Sequence, residues 1–332
     1  MDELIEIGPI QAYPNAITTA AWPLIELNDG AKVEVPLAVV RGAEPGSTLW
    51  VITGVHGNEY VGLGALHRLL KSVTPTDLRG TLVIIPMVNV VAYRLRARSA
   101  SIDGMDMNRI WPGAPLPQAV HLFAHSEIVV SRVIKPILET ADFMIDCHDG
   151  SDIAICAPYV AFSTGRNEEE TQLLRDAAVA TGFPIIWEQS ADFIAQQQPQ
   201  TSHLTLTRNG VPAVLLEAGG KGEHESGVQR MYLAIRGIMD FLGMMPAEHE
   251  ARSEERFWVK EALWLRAEGG GFFSPAVPVL SRVEAGQHLS SITDFFGTTR
   301  DEITSPYNAI VMTQRDYGPV NEGEFICELA RL

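Results

Sequence analysis

The chain is poor in cysteine: Cys147, Cys156 and Cys327 are odd in number, and none stands in CxxC spacing. That argues against a disulfide framework and against a cysteine-ligated zinc, and leaves three reduced, buried small residues as the expectation. Positive charge is scarce as well. Twenty-five Lys and Arg stand against 41 Asp and Glu, a formal net charge of -16, whereas proteins that bind nucleic acid neutralise phosphates with clustered basic side chains. No stretch of about 18 apolar residues occurs, so no membrane span is expected. The opening MDELIEIG lacks the basic start and the apolar run of a signal peptide, which points to a cytoplasmic protein. Repeats and low-complexity tracts are also lacking, and QQQ at 196–198 is too short to signify.

What is present is an ordinary globular composition, 46% hydrophobic and 20% charged, enough for a sizeable core. At 332 residues the chain exceeds the length at which single cores usually stop growing, so two domains are expected. LWVITGVHGNEYVGLGALHRLLKSV runs from an apolar strand (49–53) through a glycine-rich turn into a helix with apolar positions at Leu63, Leu66, Leu69 and Leu70. A second buried strand, TLVIIPMVNV (81–90), follows, and a third, ADFMIDCH (141–148), comes after a helix around 126–138. Further helices are expected near 167–181, 202–209 and 225–242, with strands PIIW (184–187) and AVLLEA (213–218) among them. This alternation implies an α/β fold, with a mostly parallel or mixed sheet flanked by helices. After Gly243 the polar MPAEHEARSEER reads as a linker, and short strands separated by GGG, AG and YGP read as a small C-terminal all-β domain. The expected division is 1–250 and 251–332.

His56 and Glu59, in GVHGNE at a strand end, are three positions apart, where a turn can aim an imidazole and a carboxylate at one point while Gly54 and Gly57 let the backbone bend. HxxE alone is a weak signal, equally read as a helix-entry histidine followed by a first-turn glutamate favoured by the helix dipole. Placement adds weight. His148 ends another expected strand in DCHDG, and sites in open α/β sheets form outside the carboxyl ends of strands. Two nitrogens and one carboxylate suit one catalytic Zn2+ per chain with a fourth position for water, although other divalent first-row ions also fit such donors. Glu217, at a strand end in LLEAGG, is placed to take a proton from the attacking water and deliver it to the leaving amine. Its bland reading is a capping or salt-bridging carboxylate. In RLRARSASIDGMDMNRIWPG, Arg94, Arg96, Arg98, Asn108 and Arg109 form a basic cluster suited to a substrate carboxylate and a polarised carbonyl oxygen. Arg94 and Arg96 read more simply as solvated.

In this order, GVHGNE, DMNRIWPG, DCHDG and LLEAGG resemble the succinylglutamate desuccinylase and aspartoacylase family, which shares its fold with zinc carboxypeptidases. The resemblance covers roughly 49–243 and extends to the family's β-rich second domain from about Phe257. It implies that His56, Glu59 and His148 are the zinc ligands and Glu217 the catalytic acid/base. It further implies that Arg98, with Arg94 and Arg96 as rivals, polarises the scissile carbonyl, while Asn108 and Arg109 bind substrate carboxylate. Two departures stand out: Asp149 follows His148 where the family commonly has a small hydroxyl residue, and Cys147 precedes it where leucine is common. Asp149 either orients a ligand or selects a cationic amine, which points away from a dicarboxylate substrate.

The expected activity is zinc-dependent hydrolysis of the amide of an N-acyl amino acid or related small carboxylate, with zinc-bound water as nucleophile. A peptide carboxypeptidase of the same fold and a non-catalytic metal-binding or regulatory protein are the rivals. The expected partner is a small-molecule substrate bearing a carboxylate, with neither nucleic acid nor membrane, and the composition is compatible with a homo-oligomer. The C-terminal segment is somewhat like a barrel-sandwich hybrid of the biotinyl and lipoyl kind, but GTTRDEITSPYNAIVM has no lysine to modify and reads as a lid or packing module. His67, His121, His125, His203 and His224 read as structural, with His224 near enough to Glu217 to border the pocket.

Overall fold

A computed structural model describes residues 4–114, 118, 124–190, 194, 200–247 and 255–332. Four antiparallel strands open the chain: β1 (Ile5–Ile7), β2 (Ile10–Ala12), β3 (Ala16–Glu26) and β4 (Lys32–Arg41). They are followed by β5 (Glu44–Thr53), α1 (Val61–Ser72), β6 (Arg79–Ile85), α2 (Val90–Leu95) and a 3-10 turn (Met107–Arg109). Next come α3 (His125–Thr140), β7 (Phe143–His148), β8 (Ala154–Ser163), α4 (Glu168–Ala180) and β9 (Ile185–Gln189). The helix α5 (Ser202–Arg208), β10 (Ala213–Gly220) and α6 (His224–Phe241) complete this part.

The expected α/β architecture is present, a large mixed sheet flanked by helices with further antiparallel strands C-terminally. Its centre, β10-β7-β5-β6, is parallel, and β8 joins β10 antiparallel. These central strands are buried on both faces, which is why they read as continuous apolar runs. One face carries α1, α4 and α6, whose Leu66, Leu69, Leu174, Ile235 and Ile238 pack on Val51, Ile145 and Leu216. On the other, Val130, Val133 and Ile137 of α3 meet Trp50, Ile52 and Met144. Local signals agree with these elements: Asn167 Oδ1 accepts from Glu170 N at 2.9 Å to cap α4, whose first turn carries three glutamates. The strand expected over 81–90 ends earlier, at Ile85. Pro86 cannot donate to the ladder, and Asn89 caps α2 by accepting from Ala92 N at 3.1 Å.

The remaining strands are β11 (Phe257–Val259), β12 (Ala262–Arg266), β13 (Gly271–Pro275), β14 (Arg282–Val283), β15 (His288–Thr293), β16 (Thr299–Thr304), β17 (Ala309–Arg315), β18 (Gly318–Val320) and β19 (Phe325–Arg331). Strands β16-β15-β13-β18 form a separate antiparallel sheet. By contrast, β17 pairs with β8 and carries β19 and β12 beyond it, so the large sheet runs on into the C-terminal segment. Tyr159, Trp187 and Leu215 share one apolar cluster with Val259, Ile310, Met312 and Ala330. The boundary expected at 250/251, the histidine at 121 and the glutamines at 196–198 lie outside the described residues. No described helix is long and apolar enough to cross a membrane.

Candidate active site

The loop after β5 turns sharply because two glycines permit it. Gly54 has φ +66°, and a Cβ there would stand 2.3 Å from Met87 Sδ; a Cβ on Gly57 would meet Tyr93 N at 2.2 Å. With α2 packed this closely behind it, the loop delivers His56 and Glu59 to the carboxyl end of the sheet. Strand β7, beside β5, ends at His148, and the parallel register sets Glu217 of β10 directly across from His148. Four side chains separated by up to 161 positions thus come to one spot because three neighbouring strands end together.

The donor atoms of His56, Glu59 and His148, all buried, lie within 4.8 Å of one another. Glu59 Oε1 is 2.7 Å from His56 Nδ1, and Oε2 is 2.8 Å from His148 Nδ1. Each imidazole has a second carboxylate behind it. His56 Nε2 is 2.9 Å from Asp106 Oδ1, and His148 Nε2 is 3.0 Å from Asp146 Oδ2, which also accepts from Ser202 Oγ. A ring that donates its Nε2 hydrogen outward to a carboxylate turns the Nδ1 lone pair inward, the usual support of a metal-ligating histidine. Two such lone pairs and the Glu59 carboxylate make three Lewis bases, which a divalent cation satisfies in place of the protons that the imidazoles otherwise share with Glu59. The donor set therefore fits a metal ion.

Electrostatics follows the same lines. Burial would raise the Glu59 carboxyl, yet the two imidazoles hold it well below the usual range. Burial disfavours charge on His148, but Asp146 and Glu59 outweigh it and push its pKa well above the ordinary value. Glu217 is the exception. Its carboxyl is raised to about 8, first by burial and then by Glu59, Asp149 and Glu328, against the pull of His148. Its Oε2 is buried without a hydrogen-bond partner among the described residues, a costly arrangement outside a working site.

Of the three candidate arginines, Arg98 reaches the cluster. Its Nε and Nη2 lie 3.1 and 3.0 Å from Asp106 Oδ2, and Nη1 lies 3.4 Å from Glu59 Oε1. Arg94 and Arg96 are exposed at the end of α2, Arg96 in the left-handed region at φ +52°. Asn108 is buried, with Nδ2 3.3 Å from His148 Nε2 and Oδ1 accepting from Ser202 N at 3.2 Å. Its carboxamide is held by the framework. Arg109 is exposed, donates from Nη1 to Asn108 O at 2.8 Å, and sets its guanidinium carbon 5.8 Å from the Trp264 ring centroid.

Asp149 lies beneath the site: Oδ2 accepts from Val61 N at 2.8 Å and Oδ1 from Ser151 N at 2.6 Å. Burial first, then Glu59, raises its carboxyl to about 7. His203 is enclosed, with Nε2 3.1 Å from Gln189 Oε1 and Nδ1 3.3 Å from Thr201 Oγ1, while His67 and His224 are exposed. Reading the sequence missed Asp106, Asp146 and Ser202. Asp146 had a signal, since a residue two places before His148 on a strand shares its face; Ser202 had none.

Residues 45–242 match the model of the succinylglutamate desuccinylase/aspartoacylase catalytic domain. The chain is 25% identical over 311 residues to N-alpha-acetyl-L-2,4-diaminobutyric acid deacetylase of Halomonas elongata, a match covering 90% of this chain and 86% of that protein. Among solved structures it is similar to the product-bound ectoine utilization protein EutE (DoeB) from Ruegeria pomeroyi, with TM-score 0.85, 20% identity and all of both chains covered. A succinylglutamate desuccinylase from Silicibacter sp. TM1040 gives TM-score 0.83 at 18% identity, over 99% of this chain and 98% of that one. At such identities these two structural likenesses establish a shared fold.

Proposed function

Since the chain belongs to the succinylglutamate desuccinylase/aspartoacylase family, we propose that it is a zinc-dependent deacylase hydrolysing the amide of an N-acyl amino acid, with His56, Glu59 and His148 as the metal ligands. The observation that carries this reading is the convergence of two Nδ1 atoms and the Glu59 carboxylate, each imidazole backed by its own aspartate, beside a buried Glu217 oxygen that has no partner among the described residues. The diaminobutyric acid deacetylase of Halomonas elongata supports the N-acyl amino acid as substrate class.

Zinc, when bound by these donors, supplies a Lewis acid that brings the pKa of a water to about 7 and polarises a carbonyl. The chain's own residues do the rest. Glu217 accepts a proton from the attacking water and returns it to the leaving amine, a role that needs its carboxylate form, which a bound cation would favour against the burial that raises its pKa. Arg98, held by Asp106 and Glu59, directs its remaining donors at the carbonyl oxygen as charge develops there. Arg109 offers a bidentate fork to the substrate carboxylate. Asn108 Oδ1 accepts from Ser202 N at the start of α5 and its Nδ2 lies against the His148 ring, so its contribution to binding a carboxylate is chiefly positional.

Elemental analysis of the purified protein tests the metal assignment. About one zinc per chain is expected, lost in His56→Ala and in His148→Ala, alongside release of free amine from N-acetyl amino acids by the wild type. Metal content indifferent to both substitutions would remove the foundation of this reading.

A further inference from the structure

A second polar cluster lies beside the reacting end, built largely by the C-terminal strands. Glu328 of β19 is buried. Its Oε1 accepts from Trp264 Nε1 at 2.6 Å and its Oε2 from Thr313 Oγ1 at 3.3 Å, and the Tyr159 hydroxyl hydrogen-bonds the same carboxylate. Tyr159 stands across from Glu217 in the pairing of β8 with β10, and Trp264 is the residue whose ring neighbours Arg109. Glu328 is thus close enough for its charge to act on Glu217 and for Arg109 to act on it. Its hydrogen-bonding partners are all neutral groups, and the described residues form no ion pair with it. A buried carboxylate so placed is unfavourable until a cation completes it.

The other acidic groups near the site are already committed. Glu59, Asp106 and Asp146 face imidazole nitrogens, Asp149 holds two backbone N–H groups, and Glu217 faces the reacting centre. Glu328 alone among these carboxylates serves neither the metal cluster nor a cap.

We propose that Glu328 determines specificity for the amine half of the substrate by binding the side-chain ammonium of an N-acylated diamino acid, while Arg109 binds its carboxylate. The inference rests on the deacylase reading above and deepens it. A short diamino acid carries its negative and positive groups a few bonds apart, and Arg109 and Glu328 present the opposite pattern about one indole, the guanidinium near its ring and the carboxylate at its Nε1. Matching a charge pattern in this way selects among substrates as well as binding them.

The test compares kcat/KM on Nα-acetyl-2,4-diaminobutyrate and on neutral N-acetyl-2-aminobutyrate for the wild type and Glu328→Gln, whose amide oxygen still accepts from Trp264. The wild type should prefer the cationic substrate. The variant should lose at least about 30-fold more on it than on the neutral one, mainly through KM, whereas any effect of the lost charge on Glu217 is shared by both substrates. Equal losses on both would mean a structural role and overturn the proposal. So would a wild type that hydrolyses N-acyl amino acids without preferring the cationic one, which leaves the deacylase reading standing; hydrolysis of none overturns both. Product inhibition of the wild type needs no variant: 2,4-diaminobutyrate should bind at least about tenfold more tightly than 2-aminobutyrate, and equal inhibition overturns the proposal.

Discussion

At Glu217, stability and chemistry pull in opposite directions. With its carboxyl raised from 4.5 to about 8, the folded protein without metal retains a proton that the unfolded chain releases between those values. Stability therefore falls as pH rises from about 4.5 to 8, and the full cost is present above that window. Glu217→Gln should raise the Tm of the metal-stripped protein at pH 8, leave it unchanged near pH 4, and lower kcat by roughly 10²- to 10⁴-fold. Thermal melts with and without chelator, run beside an amine-release assay, check both halves; full activity in the variant would remove Glu217 from the chemistry. His203 behaves in the opposite sense. Burial lowers its pKa from 6.5 to about 3, so its neutral form contributes stability that is complete above about pH 6.5 and is lost as pH falls toward 3. Denaturant midpoints at pH 7, 5.5 and 4.5 should drop less steeply in His203→Gln than in the wild type. Identical slopes would place the acid sensitivity elsewhere.

Among the elements, α1 cannot cap itself. Tyr60 at its N-cap makes no side-chain bond and its first turn holds no acidic residue, so Asp149, from the loop after β7, supplies the acceptor. The segment bearing His148 thereby locks the helix that follows Glu59, and the loops that carry His56, Glu59 and His148 are tied by one carboxylate. Asp149→Ala should cost about 1–2 kcal/mol in chemical denaturation and weaken metal retention, without altering preference between cationic and neutral substrates. A loss of that preference in Asp149→Ala, rather than in Glu328→Gln, would return the amine-selecting role to Asp149. The close approach of α2 makes a parallel point. Gly57→Ala places a methyl against the backbone of Ala92 and Tyr93, an overpacking without a flexible side chain to yield, and about 1–3 kcal/mol or more of destabilisation is expected.

The molecule as a whole depends on the C-terminal strands for more than a lid. Strand β17 covers the edge that β8 would otherwise expose, and the apolar cluster of Tyr159, Trp187 and Leu215 is completed by Val259, Ile310, Met312 and Ala330. Residues 1–247 expressed alone should therefore aggregate, because an unpaired strand edge and an uncovered apolar face are left together. Soluble expression with a cooperative melt would show instead that the first part is self-sufficient. The same strands bring Trp264, Thr313 and Glu328 to the site, so a truncation that did fold should lose substrate discrimination before it lost metal.

Several features of this protein were legible residue by residue. His56, Glu59, His148 and Glu217 each follow an apolar strand, and a strand end in an α/β sheet is where such side chains meet a ligand. The central strands announce themselves because burial on both faces demands unbroken apolar runs. Other elements carry no such mark. Strands β3, β4 and β8 alternate or include proline, and only the pairing of β4 with β6 and of β8 with β10 makes them part of the large sheet. The choice of Arg98 over Arg94 and Arg96 follows from how α2 ends, and the commitment of Asp149 to Val61 from where β7 lies beside β5. The sequence by itself determined which side chains can bind a metal and move a proton, since that chemistry is intrinsic to residue type. Which carboxylate faces an imidazole, which caps a helix and which forms no ion pair among the described residues was decided by tertiary structure alone, because those arrangements depend on distances between segments far apart in the chain.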